Sequence, residues 1–571
     1  MRYRFRAPLA LAVFCVSCGA GRVAGSRLQH ASEAWLQAGR KPEPVVSAPL
    51  ASTDAGPPDD SSDPDDTATI QRLLNAGKLV ELRSGLTYHI SRRIDVMVSG
   101  SGIVSQGTPA TLELKRSFNN LNGDEVYARA DSIGIYVGEV SGITLKNLSL
   151  RKDVLDGTYV TAIALRGASQ STLQKLDISG FSLGGIVSLD SVDSVVVKDT
   201  YIHDSWASRY FLAPDKDELT KFPQLTGIVV DDNKLSSAGQ PRLSQNISIL
   251  NNTIRRLRFT RDLYSRPRIC FRGTGVAIEH CADKTPDVLA AYCEVHACPI
   301  IHYQTDGITV GSPGRNFLVA GNTIDNVGEG IDLIDNDGTR VIGNNVSNAF
   351  AYGIKLVHGS RNVLAEKNVV IDAGMANFLV AGTTSESFGD TAGNVIRLNR
   401  ISGVGSIRAY CEPSGNPSFR IFDSCSALTR DAAAIEVSPN NKCAPVGASC
   451  AYGIPRFNFF FQNHIDVAAG DVNVASVLEL QERVADNVFY GNVLDDASGR
   501  SIRYSDSSNW VGEGNIIDAE GPETLVVADV NGDQKPDQLF KWKGSGRSDL
   551  YRSRADGLFD LVSKVPDAAK R

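Results

Sequence analysis

Asp306, Glu329 and Tyr352 stand 23 residues apart, each directly before Gly-Ile, and Thr309, Asp332 and Lys355 follow them by three positions. Two carboxylates, a phenol and an amine are groups that general acid–base catalysis uses, one to take a proton and another to give it. The constant step is the reason to consider them together. A period of this size, carrying x-Gly-Ile-x-aliphatic, reads as one turn of backbone in a coiled solenoid. Positions one period apart then lie ~4.8 Å apart on adjacent coils. Asp306, Glu329 and Tyr352 form one column, and Thr309, Asp332 and Lys355 a second. If Ile308 and Val310 face the core, the second column faces outward, while residue 306 faces inward unless the chain turns before it. The outward column is therefore the safer site. His358 and Arg361 follow on the Lys355 coil, and a bidentate Arg361 suits a carboxylate.

Plainer roles compete with these. Asp332 and Lys355 also read as a cross-strand ion pair on a solvated face, worth ~0.2–1 kcal/mol. Asp306 and Glu329 also read as carboxylates that cap turn amides at strand starts. Asp335-Asn-Asp-Gly has the composition of a turn.

The elements that must position these residues repeat along the chain. Gly134-Ile135, Ala162-Ile163, Gly227-Ile228, Ala434-Ile435 and Val477-Leu478 carry the same strand signature. A second column, Asn-x-aliphatic, starts at Asn147, Asn252, Asn322, Asn344, Asn368, Asn463, Asn492 and Asn515. Asn at a turn suits the left-handed conformation, and stacked amides can hydrogen-bond from coil to coil. The fold class expected is all-β, a parallel β-helix over residues 67–517. The rhythm breaks at about 203–225, 256–303 and 403–456. Insertions of this length make walls on one face, so the 306–355 stack would line a trough suited to an extended polysaccharide.

The opening segment, with Ile70-Gln-Arg-Leu-Leu as a short amphipathic helix before Leu79-Val-Glu-Leu, resembles the N-terminal cap of the pectate-lyase-like superfamily. That resemblance implies a right-handed β-helix whose open end is plugged by the helix. Gln304-Thr-Asp-Gly307, Gly328-Glu-Gly330 and Ala351-Tyr-Gly353 resemble the active-site register of the family 28 polygalacturonases. Asp306 matches that family's first Asp, and Glu329 replaces the second of its Asp pair. Gly328 stands in place of an acid, Tyr352 in place of the His, and no Arg-Ile-Lys follows. Gly330-Ile-Asp332 also resembles part of the Tyr-Gly-Phe-Asp-Pro-His motif of β-helix uronan lyases and mannuronan C5-epimerases, without the Pro and His. The two resemblances together imply catalytic roles for Asp306, Glu329, Asp332, Tyr352 and Lys355, and sugar binding at Thr309, His358 and Arg361.

The chain has 571 residues with a net charge of −7 and no basic block, which argues against nucleic acid as partner. Arg2, Arg4 and Arg6 followed by the apolar run to Val16 read as a secretion signal. Val16-Ser-Cys18-Gly resembles a bacterial lipobox, which implies lipid attachment at Cys18 and, with no Asp after it, the outer membrane. Residues 19–66 read as an acidic tether. Eight further cysteines fall in two groups, Cys270, Cys281, Cys293 and Cys298, then Cys411, Cys425, Cys443 and Cys450. In a secreted chain they imply disulfides, with pairing expected inside each group. Residues 518–571 form a separate segment in which Asp529, Asn531, Asp533, the Lys535 carbonyl and Asp537 place oxygens at the spacing of a Ca²⁺ loop. That run resembles FG-GAP and dockerin-like repeats. Two functions follow as expectations. The first is a surface enzyme that hydrolyses, eliminates or epimerises an acidic polysaccharide. The second is a non-catalytic adhesin or glycan-binding β-helix.

Overall fold

The computed structural model describes residues 52–62, 64–115, 133–152, 161–181, 184–207, 225–231, 243–259, 269–271, 280–282, 305–349, 351–383, 389–404, 433–439 and 453–467, together with strands and single positions between 476 and 566. The chain divides into Met1–Val46 and Ser47–Arg571. The signal segment and Cys18 lie outside the described residues. No helix among the described residues is long and apolar enough to cross a membrane.

Two long parallel sheets dominate. One has 12 strands, running from Ile94–Val96 to Arg503–Tyr504, and the other has 24. The larger sheet is two ladders joined where strands Thr144–Lys152 and Thr172–Ser179 are long enough to serve both. Residues 144–146 pair with 102–104, and residues 148–152 pair with 110–114. A coil therefore presents three strands around a continuous apolar core, which includes Ile228, Ile308, Ile331, Ile354, Phe378 and Ile435 from one column. In short strands such as Arg340–Ile342 and Val395–Arg397 only the middle residue is buried, as period-two alternation requires.

The glycine of the Gly-Ile signature has a steric cause. A β carbon on Gly330 would lie 2.3 Å from the Gly353 carbonyl oxygen and 2.3 Å from Val346 Cγ1. Gly307 and Gly353 are equally confined by the next coil and by an inward side chain of another face. The chain turns there with backbone against backbone, so no side chain fits.

The asparagine column is a ladder of buried amides, with two corrections to the expectation. Asn252, Asn322, Asn344, Asn368, Asn399, Asn463 and Asn492 follow one another, each side-chain amide donating to the next Oδ1 at 2.8–3.0 Å. Each of those oxygens also accepts the backbone N–H of the preceding Asn. Asn147 does not belong to it. It adopts a left-handed φ of 56° and donates to the carbonyls of Ser105 and Gly107. Left-handed geometry falls on the residue before the ladder asparagines, at Asn251, Gly321, Gly343, Lys367, Leu398 and Gln462. The corner residue turns the chain, and the asparagine after it points inside. Asn515 lies outside the described residues.

The acidic tether also ends earlier than expected. Ser52–Asp54 pairs in parallel with residues 79–81, and Tyr88 donates its hydroxyl to the Gly56 carbonyl at 2.8 Å. Asp66 accepts the backbone N–H groups of Asp59 and His89, so part of the acidic run serves as turn acceptors. Helix Thr67–Asn75 follows, with Ile70 and Leu74 buried in the apolar core.

Outside the coils, Ile269–Phe271 and His280–Ala282 form an antiparallel pair that sets Cys270 opposite Cys281. Cys293, Cys298, Cys411, Cys425, Cys443 and Cys450 lie outside the described residues. Pro522–Ala528, Asp537–Trp542, Arg547–Ser553 and Phe559–Pro566 make a four-stranded antiparallel sheet. The expected Ca²⁺ loop occupies the connection between its first two strands. Asp529, Asn531, Asp533 and Lys535 lie outside the described residues, and Asp537 opens the second strand.

Candidate functional site

The two columns exist as registered stacks. Gly227 N–H donates to the Asp306 carbonyl at 2.9 Å, Gly307 to Glu329 at 2.8 Å and Gly330 to Tyr352 at 2.9 Å. Thr309 pairs with Asp332 and Asp332 with Lys355, and the column continues to Leu379 and Glu436.

Strand parity alone would separate the columns, yet their side chains converge. Asp306 lies ahead of strand Ile308–Val310, where the backbone turns, and its Oδ2 accepts the Thr309 hydroxyl at 2.9 Å. Lys355 Nζ donates to Glu329 Oε2 at 2.8 Å and to Asp332 Oδ2 at 3.1 Å. Asp306, Glu329 and Asp332 each offer an oxygen within 4.8 Å of the others. The amine also lies 6.0 Å from the Tyr352 ring centroid, at the outer range of a cation–π contact. The structure therefore unites Asp306, Thr309, Glu329, Asp332, Tyr352 and Lys355.

The expectation of a solvated face is wrong here. Relative exposure is 7% at Asp306, 0% at Glu329, 3% at Asp332, 5% at Lys355 and 9% at Thr309. Charges so removed from water interact far more strongly than surface pairs do. Burial, and then the Asp332 charge, push the Asp306 carboxyl up to about 8, with Lys355 and Thr309 opposing. Burial likewise drives Glu329 well above the usual carboxylate range, against the pull of Lys355. Burial alone would lower Lys355, but the Asp332 and Glu329 charges outweigh it and hold the ammonium well above its ordinary value. One oxygen on each acid, Asp306 Oδ1, Glu329 Oε1 and Asp332 Oδ1, has no hydrogen-bond partner among the described residues. Three carboxylates with such oxygens are a donor set able to hold a hard cation.

His358 and Arg361 have their hydrogen bonds and ion pairs outside this cluster. His358 has a left-handed φ of 52°, and its Nδ1 lies 3.2 Å from Thr383 Oγ1. Arg361 is half-buried and faces Asp337 at 3.4 Å and Asp335 at 4.0 Å. Asp335-Asn-Asp-Gly is a turn around the buried Asn336, which donates to the carbonyls of Val310 and Ile334. Sequence reasoning passed over Glu436, although Ala434-Ile435-Glu436 carries the repeat signature and the residue is buried in the outward column. It also passed over a polar network on the other sheet. There His203 lies 2.8 Å from Asp177 and 2.7 Å from Asp204, while Arg256 grips Asp204.

Residues 281–370 match the family model described as the right handed beta helix region, a span that contains the whole cluster. The chain is thus a right-handed parallel β-helix. No curated protein matches it. Among solved structures it is similar to the Dettilon tailspike protein, at 11% identity and a TM-score of 0.46, covering 90% of this chain and 79% of that one. It is also similar to DFA-IIIase from Arthrobacter chlorophenolicus A6, at 12% identity and a TM-score of 0.43, covering 81% and 98%. A third is the A-module of the mannuronan C-5 epimerase AlgE6 from Azotobacter vinelandii, at 11% identity and a TM-score of 0.38, covering 75% and 95%. These structural neighbours are carbohydrate-active β-helix enzymes and a tailspike.

Proposed function

We propose that this β-helix acts on an acidic polysaccharide, by glycosidic hydrolysis, β-elimination or C5 epimerisation, at the cluster of Asp306, Glu329, Asp332, Tyr352 and Lys355. The convergence of the two columns carries this reading. Stacked coils bring three carboxylates and an ammonium together on the outer side of one sheet, where a chain lying along the solenoid can reach successive coils. Lys355 orients Glu329 and Asp332, and Thr309 orients Asp306, so the reacting groups are held in advance. Among hydrolytic routes the spacing favours retention. Inverting enzymes separate their carboxyls by ~6.5–9.5 Å to admit a water, whereas retaining ones use ~5–5.5 Å, and Asp306 and Glu329 stand at equivalent positions of coils stacked ~4.8 Å apart. Cys18, as the lipid-bearing residue, would present the enzyme at the cell surface.

The complete burial of Glu329 favours a second reading, a non-catalytic glycan-binding β-helix in which the cluster only ties coils together. Incubating the full chain with a panel of uronic-acid polysaccharides separates the two. Unsaturated uronate, followed by its ultraviolet absorbance, and reducing ends are measured together, with proton NMR for inverted C5 centres. Any of these signals, lost in Asp332→Asn and Lys355→Ala variants that still fold, supports the enzyme. Polysaccharide binding with no product by any readout supports the second reading.

A further inference from the structure

We infer that Asp306, Glu329 and Asp332 form a divalent-cation site suited to Ca²⁺. Each of the three carboxylates is more than nine-tenths buried and keeps one oxygen with no hydrogen-bond partner among the described residues. Buried polar atoms are nearly always partnered, so three such oxygens on adjacent side chains call for a common occupant. The other oxygens are already held. Thr309 binds Asp306 Oδ2, and Lys355 binds Glu329 Oε2 and Asp332 Oδ2. One oxygen of each acid is thereby oriented from behind while the other is left for an ion, the arrangement by which outer groups fix metal ligands.

Charge and coordination chemistry agree. Three carboxylates and one ammonium leave a formal charge of −2, which one divalent ion cancels. The three acids each offer an oxygen within 4.8 Å of the others, close enough for one ion to touch all three. Mg²⁺ sheds its waters reluctantly and demands near-ideal octahedral geometry, so a buried, all-carboxylate site suits Ca²⁺ better. The inference deepens the proposed function and rests on it in one respect. A cluster at −2 repels a uronate, and the ion converts it into a partner for the sugar carboxylate.

The test uses the full chain with Asp529→Asn and Asp533→Asn, which silence the C-terminal loop as a competing Ca²⁺ site. The chelator-stripped protein is titrated with CaCl₂ and with MgCl₂ by calorimetry, and thermal unfolding is recorded with and without the ion. The expected result is one Ca²⁺ per chain, tighter than Mg²⁺, with a raised unfolding midpoint. Asp332→Asn or Glu329→Gln should abolish binding or weaken it far more than ~10-fold. Thr309→Val, which keeps every carboxylate and so guards against a fold defect, should weaken it by ~10-fold. No binding to the loop-silenced chain would overturn the inference and leave carboxyl protons as the balance of charge. Unchanged affinity in Asp332→Asn and Glu329→Gln would overturn it too. No substrate is present, so a negative result leaves the polysaccharide reading standing. Conversely, a bound ion with no action on any polysaccharide would count against that reading alone.

Discussion

Lys355 Nζ lies 2.8 Å from Glu329 Oε2 although the two residues belong to different columns and different coils. Its strand partner is Asp332, at 3.1 Å, so the ammonium joins the column that faces outward to the one that begins each strand. Removing it would leave buried carboxylates with no cation, which costs ~3–5 kcal/mol. Lys355→Met is therefore expected to lower the denaturant midpoint of the chelator-treated full chain sharply. Adding Glu329→Gln and Asp332→Asn to it should recover most of the loss, because the charges are then gone. Additive losses in that cycle would show that the pairing is not the source of the effect.

Gly330 tests the close approach of coils. Alanine there would meet the Gly353 carbonyl oxygen and Val346 Cγ1 at 2.3 Å. Neither backbone nor core can yield without moving strand Ile331–Ile334, and overpacking of this kind costs ~1–3 kcal/mol. Gly330→Ala should destabilise by that amount in urea unfolding, whereas Gly338→Asn, at an open turn with φ 76°, should change little. Equal effects at both would remove the steric account of the Gly-Ile signature.

The solenoid was legible in the sequence because its two strongest signals have local causes, the glycine required by backbone contact and the asparagine required by the amide ladder. The 23-residue step then placed Asp306, Glu329 and Tyr352 in one stack without any structure. Parity misled at Asp306, because alternation holds only inside a strand and this residue precedes one. Burial of the outward column was not legible either, since alternation states which way Lys355 points and not whether that side is wet. Asn399 was missed although Asn399-Arg-Ile carries the ladder pattern, and Asn147 was taken in although it caps a turn. The His203 network was hidden for a different reason. Asp177 and Arg256 lie 26 and 52 residues away from His203 and Asp204, and only register brings them together.

The amide ladder predicts a graded loss. Asn344 Oδ1 accepts both the backbone N–H and the side-chain amide of Asn322, and its own amide reaches the Val319 carbonyl and Asn368 Oδ1. Asn344→Ala leaves several buried groups unpartnered, at ~1–3 kcal/mol for each one that water cannot reach. A destabilisation of at least ~2 kcal/mol is expected in denaturant unfolding. Asn147→Ala, which removes bonds to turn carbonyls at the half-buried rim, should cost less. A ranking in the opposite order would mean that the ladder is not what ties these coils together.

His203 should make stability fall on the alkaline side. Both ring nitrogens face carboxylates, Nε2 at 2.8 Å from Asp177 and Nδ1 at 2.7 Å from Asp204, and only the imidazolium can donate to both. Burial lowers its pKa, but the two acids outweigh burial and leave it raised above 6.5. The sign follows from linkage. A group whose folded pKa is raised contributes stability that is fully present below its unfolded pKa and is lost as pH rises through the folded value. The urea midpoint should therefore decline as pH is taken upward from 6.5, and His203→Asn should flatten that part of the profile. Asp204 acts at the other end. Arg256, followed by the effect of burial in the opposite sense and then His203, leaves its carboxyl at about 2, so its contribution holds above 3.8 and fades as pH falls towards about 2. An alkaline decline of the same size in His203→Asn would assign the pH dependence to other groups.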